Sequence, residues 1–144
     1  CSVLLVSCVT SEQEVPPNVS AAHETEVNNL EDCWRVLDQE LSPEVQKQIR
    51  DSKDPIEFHL GVGMWIRNRF GLWQNTPIAI YLATLQHERL VARHPGLSDQ
   101  FSLEVASVFA DESSQVILRS YQKHLLDPEM TEEGFWRQEA AGID

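Results

Sequence analysis

Apolar residues recur at helical spacing from residue 29 onward, and turn-forming residues divide them into separate helices. The first stripe comprises Leu30, Cys33, Trp34, Leu37 and Leu41, which fall at i, i+3, i+4, i+7 and i+11. This spacing places them on one face of an amphipathic helix, with charged residues on the opposite face. We therefore expect a first helix that buries this stripe.

The second predicted helix is short and polar. Ser42 is a good N-cap residue, and Pro43 suits the first helical turn. The pattern predicts a helix from Pro43 to about Asp51, with Val45 and Ile49 as its apolar pair.

The most apolar stretch, Ile56 to Phe70, is predicted to form the central helix. Asp54 and Pro55 repeat the cap-then-proline pattern in front of it. Gly71 follows it, where a left-handed C-cap residue would lie.

Three further helix starts follow. Thr76-Pro77 begins a helix whose apolar residues are too evenly spread for a single stripe, so we expect it to be covered on more than one side. Ser98 is the predicted cap of the next helix, and Ser113 or Ser114 that of the last. The apolar stripes of these two helices are Phe101, Val105, Val108 and Phe109, and Ile117, Leu118, Tyr121 and Leu125.

The chain is therefore predicted to be all-α, a compact bundle of five or six helices behind a flexible N-terminal tether. Neither strand alternation nor an internal repeat is present in the sequence. We divide it into a signal segment (1–8), a tether (9–28), a helical domain (29–126) and an acidic tail (127–144) whose apolar residues are chiefly Phe135 and Trp136.

The first nine residues form an uncharged apolar run that is too short to span a bilayer. Within it, Leu5-Val6-Ser7-Cys8 resembles the lipobox of bacterial lipoproteins, in a signal segment truncated at its front. The resemblance implies that Cys8 carries a lipid and anchors the protein in the bacterial cell envelope, facing the periplasm. The alternative is a buried strand that contains Val3, Leu4 and Val6.

Charge narrows the choice of partners. The 11 Lys+Arg against 23 Asp+Glu give a formal net charge of -12, which disfavours nucleic acid and anionic headgroups. Many of the acids lie in the tether and tail, so charge alone does not argue for a basic partner. No disulfide framework is implied, and Cys33 is expected to be a buried, inert thiol.

Familiar catalytic signatures are absent from the sequence, including the nucleophile elbow, the P-loop, the dinucleotide fingerprint and the zinc motifs. We predict no metal and no cofactor. Glu112-Ser113 is similar to the Glu-Ser pair of lytic transglycosylases, but the rest of that motif is missing. A helix cap is the favoured interpretation of this serine.

Unusual chemistry is concentrated between His59 and Trp73. Gly61 and Gly63 fall inside the predicted helix, where each costs about 1 kcal/mol relative to alanine. Close approach of another helix or of a ligand would offset that cost. On a helical wheel, Gly63 shares a face with His59, Arg67 and Phe70, while Gly61, Met64, Trp65 and Asn68 lie on another.

Arg67 and Asn68 interrupt this apolar helix, and two interpretations compete. In the favoured one, Arg67 pairs with an acid such as Asp38 or Glu40 and Asn68 caps a neighbouring loop. In the other, a pocket captures a carboxylate or an extended partner segment, with Arg67 as the fork and Trp73 as the flat wall. The candidate binding residues are His59, Trp65, Arg67, Asn68 and Trp73.

The same segment carries a family resemblance. Residues 58–73, FHLGVGMWIRNRFGLW, resemble the signature F-H-x-G-x-G-M-W-I-R-N-x-[WF]-G-L-W of an uncharacterised bacterial domain family, with Phe70 in place of the commoner Trp. The helices around Cys33-Trp34 and around 117–124 are similar to the family's flanks, which implies that the family domain covers residues of about 30–126. Residues 96–112 resemble an expansion relative to shorter members of the family. The resemblance assigns no activity.

Three functional hypotheses follow. The first is a lipid-anchored, non-enzymatic envelope protein whose helical domain binds a protein or peptide, for instance as an inhibitor or immunity lipoprotein. The second is an envelope hydrolase that acts on cell-wall glycan or peptide, and the third is a structural spacer. An enzyme predicts a concave pocket that holds a carboxylate with a raised pKa, whereas a binding module predicts an exposed aromatic patch.

Overall fold

Six α-helices follow one another in the computed structural model, which describes residues 26–96 and 107–142. They are α1 Leu30–Glu40, α2 Pro43–Asp51, α3 Val62–Arg69, α4 Pro77–Arg93, α5 Ala110–Leu126 and α6 Glu132–Ala141, and a 3-10 turn spans Pro55–Phe58. The described ranges contain no strand. The predicted all-α bundle is confirmed for these residues.

Capping residues start the helices where the sequence predicts. Asn29, Ser42 and Thr76 each accept a hydrogen bond from a backbone N–H in the first turn of α1, α2 and α4, respectively. Such a bond satisfies one of the N–H groups that has no partner within the helix. The apolar stripe of α1 is buried through Leu37, and Ile49 of α2 is buried as well.

The central element is α5, rather than the predicted helix from Ile56 to Phe70. α5 packs against each of the other five helices and against the 3-10 turn. Its buried residues are Ala110, Ser113, Ser114, Val116, Ile117, Leu118, Ser120 and Tyr121. Because several of these are serines, the sequence pattern concealed how completely the helix is enclosed.

The two serines predicted to cap this helix lie inside it. α5 begins after Phe109, and Ser113 and Ser114 are already buried in its first turns. The segment that Ser98 was expected to cap lies mostly outside the described residues, which resume with a 3-10 turn at 107–109.

The stretch from Ile56 to Phe70 is divided in two. The 3-10 turn ends at Phe58, and α3 begins only at Val62. Gly71 then adopts a φ of 63°, as expected of a residue that follows a helix C-terminus in the left-handed conformation.

Helical packing continues beyond residue 126, where the sequence favoured an acidic tail. Phe135 of α6 is fully buried in the common core. Glu132 accepts hydrogen bonds from the Leu30 backbone N–H at 2.8 Å, the Tyr81 hydroxyl at 2.5 Å and the Trp136 indole N–H at 2.8 Å. A single carboxylate therefore ties α6 to the start of α1 and to α4.

Cys33 is a free, fully buried cysteine, as expected. Burial raises the pKa of its thiol well above the usual value, which keeps it protonated and unreactive. Within 26–96 and 107–142, none of the helices has the length and apolarity required to cross a membrane. The signal segment with Cys8, and the tether up to residue 25, lie outside the described residues.

Candidate functional site

The two glycines ahead of Arg67 have different surroundings. A Cβ atom on Gly63 would lie 3.3 Å from the Phe58 carbonyl oxygen and 3.5 Å from Nη1 of Arg67. Gly63 therefore permits the close approach that the sequence analysis required. Gly61 precedes α3 and would place its Cβ in open space, so the expectation of a packing role for it is wrong.

Arg67 is the largest completely enclosed polar side chain of this segment, with an exposed fraction of 2%. Its Nη1 donates to Ser114 Oγ at 2.9 Å and lies 3.4 Å from Oδ1 of Asp111. Its Nη2 donates to the His59 carbonyl oxygen at 3.4 Å. The guanidinium thus joins the loop before α3 to the first turns of α5.

The acid that pairs with Arg67 is Asp111, and neither Asp38 nor Glu40 fills that role. Glu40 instead accepts a bidentate pair of hydrogen bonds from Arg69, at 2.8 and 2.6 Å. This hydrogen bonding lowers the pKa of the Glu40 carboxyl group. Arg69 is therefore ion-paired at an exposed position.

Asp38 belongs to a separate cluster at the junction of α1 and α5. It accepts hydrogen bonds from the Tyr121 hydroxyl at 2.9 Å and from Nε2 of His124 at 3.1 Å. The His124 ring stacks on Trp34 with their centroids 5.1 Å apart, which leaves the histidine half-buried. Burial, followed by the hydrogen bond to Asp38, raises the pKa of Tyr121.

Two exposed apolar side chains flank the guanidinium of Arg67. Met64 Sδ lies 3.8 Å from Nη2 of Arg67. The Arg67 Cζ atom lies 5.8 Å from the centroid of the Trp73 ring. Met64 is 41% exposed and Trp73 is 48% exposed. We call these two residues the Met64–Trp73 patch. It rests on a cation that is itself shielded from water.

The structure brings three of the five predicted site residues together, namely His59, Arg67 and Trp73. Trp65 is half-buried and packs against the core. The side chain of Asn68 was expected to cap a loop, but the residue is exposed. Its backbone carbonyl accepts a hydrogen bond from the Gly71 N–H at 3.3 Å. Arg67 cannot present its fork to a ligand while it is buried, so the geometry favours the structural network.

Three contributors to this site were missed in the sequence. Met64 was assigned to the other face of the helix, and Asp111 and Ser114 lie more than forty positions away along the chain. The i, i+3 spacing of Met64 and Arg67 was the one available indication, because side chains three apart on a helix are neighbours. Nothing local pointed to the two α5 residues.

A general acid at neutral pH needs a carboxyl group with a raised pKa, and the two carboxyl groups with shifted pKa values are shifted in the opposite direction. The pKa values of Glu40 and Asp51 are both lowered by hydrogen bonds from basic side chains, which favours the ionised form. Glu112 is exposed, and the adjacent Ser113 accepts from the Gln86 amide at 2.8 Å. The described residues contain no group of three His, Cys, Asp or Glu that could hold a metal ion.

The elements that carry this site match a known family model. Residues 28–90 match a domain of unknown function (DUF6794). This confirms the resemblance to an uncharacterised domain family. The DUF6794 match covers α1 to α3 and most of α4, and it ends before α5, whereas the resemblance implied coverage to about 126. Neither the curated proteins nor the solved structures contain a match to this chain.

Proposed function

We propose that this protein is a non-enzymatic binding module whose Met64–Trp73 patch contacts an apolar side chain of a protein or peptide partner. The observation that carries the proposal is an exposed tryptophan held in place from beneath by a buried arginine. Tryptophan supplies a large, rigid contact surface and is enriched among residues that dominate binding energy.

The support beneath the patch is what distinguishes it from scattered exposed residues. The Arg67 guanidinium is fixed by Ser114 and by the His59 carbonyl, so it orients the Trp73 ring without exposing its own charge. A preorganised side chain loses less conformational entropy on binding than a mobile one. The net charge of -12 disfavours nucleic acid as the occupant, and an exposed tryptophan beside an exposed methionine is the type of surface that an apolar side chain of a polypeptide covers.

Site-specific photo-crosslinking in living cells tests this proposal. A benzophenone side chain placed at position 64 or 73 should form one discrete adduct with a polypeptide, and the same group at the exposed Lys47 should not. The adduct partner, once purified, should bind the unmodified protein and lose at least about tenfold in affinity for Trp73→Ala. Equal labelling from all three positions, or no adduct from 64 and 73, would contradict the proposal.

We further propose that the protein is anchored in the bacterial envelope through a lipid on Cys8, which would present the helical domain to envelope partners. The support is the Leu5-Val6-Ser7-Cys8 sequence and the polar stretch that follows it. Labelled palmitate should be incorporated into the natural protein and into Cys33→Ser, but not into Cys8→Ser. Labelling that survives Cys8→Ser would overturn this assignment.

A further inference from the structure

Two clefts lie along α4, and Arg89 lines both. The first lies between α4 and α6 and has a volume of about 320 Å³. It is lined by Tyr81, Leu85, Glu88, Arg89, Trp136 and Ala140. The second lies between α4 and α5 and has a volume of about 270 Å³. Gln86, Arg89, Arg93, Phe109, Glu112 and Arg119 are among the residues that line it.

The first cleft is an apolar slot with a fixed aromatic wall. The indole N–H of Trp136 donates to Glu132 at 2.8 Å, which holds the ring in one orientation. The Arg89 Cζ atom lies 5.8 Å from the centroid of that ring. Leu85 and Ala140 complete the apolar lining. A slot of this character suits a hydrocarbon chain.

The second cleft concentrates positive charge in an acidic protein. Three of the 11 Lys+Arg residues of the chain line it, against a single glutamate, Glu112. Arg119 is paired with Glu139 at 2.9 Å. Among the ion pairs of the described residues, neither Arg89 nor Arg93 has a carboxylate partner. Within the part of the chain that the structure describes, no carboxylate therefore competes with an anionic ligand for these two guanidinium groups.

The geometry points to a binding site for an anionic amphiphile, a molecule with an alkyl chain and a carboxylate or phosphate head. The alkyl chain occupies the slot beside Trp136, and the head lies against Arg89, which lines both clefts, and against Arg93, which lines the second. Burial of the chain provides most of the affinity, and the guanidinium groups select an anionic head over a neutral one. This site is separate from the Met64–Trp73 patch and does not depend on the proposed function.

Calorimetric titration of the whole protein tests the two halves of the site separately. Decanoate should bind with a stoichiometry of one. Decanol has the chain without the charge, butyrate has the charge with too short a chain, and each should bind at least about tenfold more weakly. Equal affinity for decanol and decanoate would overturn the assignment of the arginine cleft, and equal affinity for butyrate would overturn that of the apolar slot.

Variants at exposed positions connect the binding to these clefts. Arg93→Gln should weaken decanoate binding by about tenfold, because it removes a charge-assisted contact. Ala140→Phe should weaken it by filling the slot, and Arg50→Gln, at an exposed position that lines neither cleft, should leave it unchanged. Circular dichroism of each variant establishes that the fold is retained. Binding that is insensitive to both cleft variants would refute the site.

Short-chain phosphatidylglycerol, used below its micellar concentration, distinguishes the source of the amphiphile. If it competes with decanoate, the site accepts a lipid headgroup. If decanoate binds and the phospholipid does not, the ligand is a free fatty acid. Either result supports an anionic amphiphile, and the absence of binding by both compounds would overturn the proposal.

Discussion

Ser114 accepts a 2.9 Å hydrogen bond from Nη1 of Arg67, and its hydroxyl donates in turn to the Asp111 carbonyl at 2.8 Å. Arg67 lies within the DUF6794 match, whereas both α5 residues lie outside it. Nη1 of the buried arginine in the matched segment therefore hydrogen-bonds to a helix that the match does not include.

Ser114→Ala should lower the free energy of unfolding by about 1–3 kcal/mol, because it removes an acceptor from a buried charged group. The adjacent Ser113→Ala is the matched control. Ser113 is equally buried, but it accepts from the neutral amide of Gln86, so the expected loss is about 1 kcal/mol. Urea titration of both variants measures the difference, and a larger loss for Ser113→Ala would argue against the role assigned to Arg67.

Glu132→Gln should destabilise the protein by about 1–2 kcal/mol, because the carboxylate accepts three hydrogen bonds from α1, α4 and α6. Glu133→Gln provides the comparison. The Glu133 side chain is 84% exposed and pairs only with Arg137, so its replacement should change stability by less than about 0.5 kcal/mol. Thermal unfolding compares the two, and equal midpoints would show that Glu132 does not anchor α6.

These two networks show where sequence patterns reach their limit. The stripe from Leu30 to Leu37 and the cap at Ser42 were predictable because each depends on residues within one or two helical turns. The partner of Arg67 was not predictable, because the chain has 23 acidic residues and only the tertiary structure determines which of them lies near Arg67. Long-range partners were therefore beyond the reach of the pattern, and it also missed two local features, the break before Val62 and the contact between Met64 and Arg67.

The same limit explains the tail and the central helix. Glu132 lies in a strongly acidic stretch, and the local sequence pattern does not indicate its three partly buried donors. The small serines of α5 indicated a helix start, although they in fact allow close packing inside the bundle. In the candidate site, the sequence correctly singled out Arg67 and Trp73. It also favoured the interpretation in which Arg67 is buried in a structural network over the one in which it binds a ligand.

Alkaline pH should unfold the protein. Burial and a hydrogen bond to a carboxylate raise the pKa of both tyrosines, Tyr81 and Tyr121, in the folded state. Above about pH 10 the unfolded chain loses phenolic protons that the folded chain retains, so stability falls as pH rises. Absorbance at the tyrosinate band should increase only as the helical signal is lost. Tyrosinate formation near pH 10 in a fully helical protein would contradict the raised pKa of both residues.

Gly71→Ala should destabilise the protein by at least about 1–2 kcal/mol. Its φ of 63° is costly for a residue with a Cβ, and that atom would lie 2.8 Å from Cγ2 of Thr76. Gly61→Ala makes the same chemical change where a Cβ would meet nothing within 4 Å. Its stability should stay within about 0.5 kcal/mol of the parent. Comparable losses in the two glycine variants would rule out a special conformation at position 71.

The central claim is that the buried Arg67 supports the Met64–Trp73 patch from within the protein, and that Trp73 is the residue of the patch that contacts a partner. The free energies of unfolding of Arg67→Met and Trp73→Ala, measured side by side in urea, test this most directly. We predict that Arg67→Met loses about 1–3 kcal/mol through its charge-assisted hydrogen bonds, whereas Trp73→Ala loses no more than about 1 kcal/mol, the size of its cation–π contact. Full stability of Arg67→Met, or a loss in Trp73→Ala as large as that in Arg67→Met, would contradict the account.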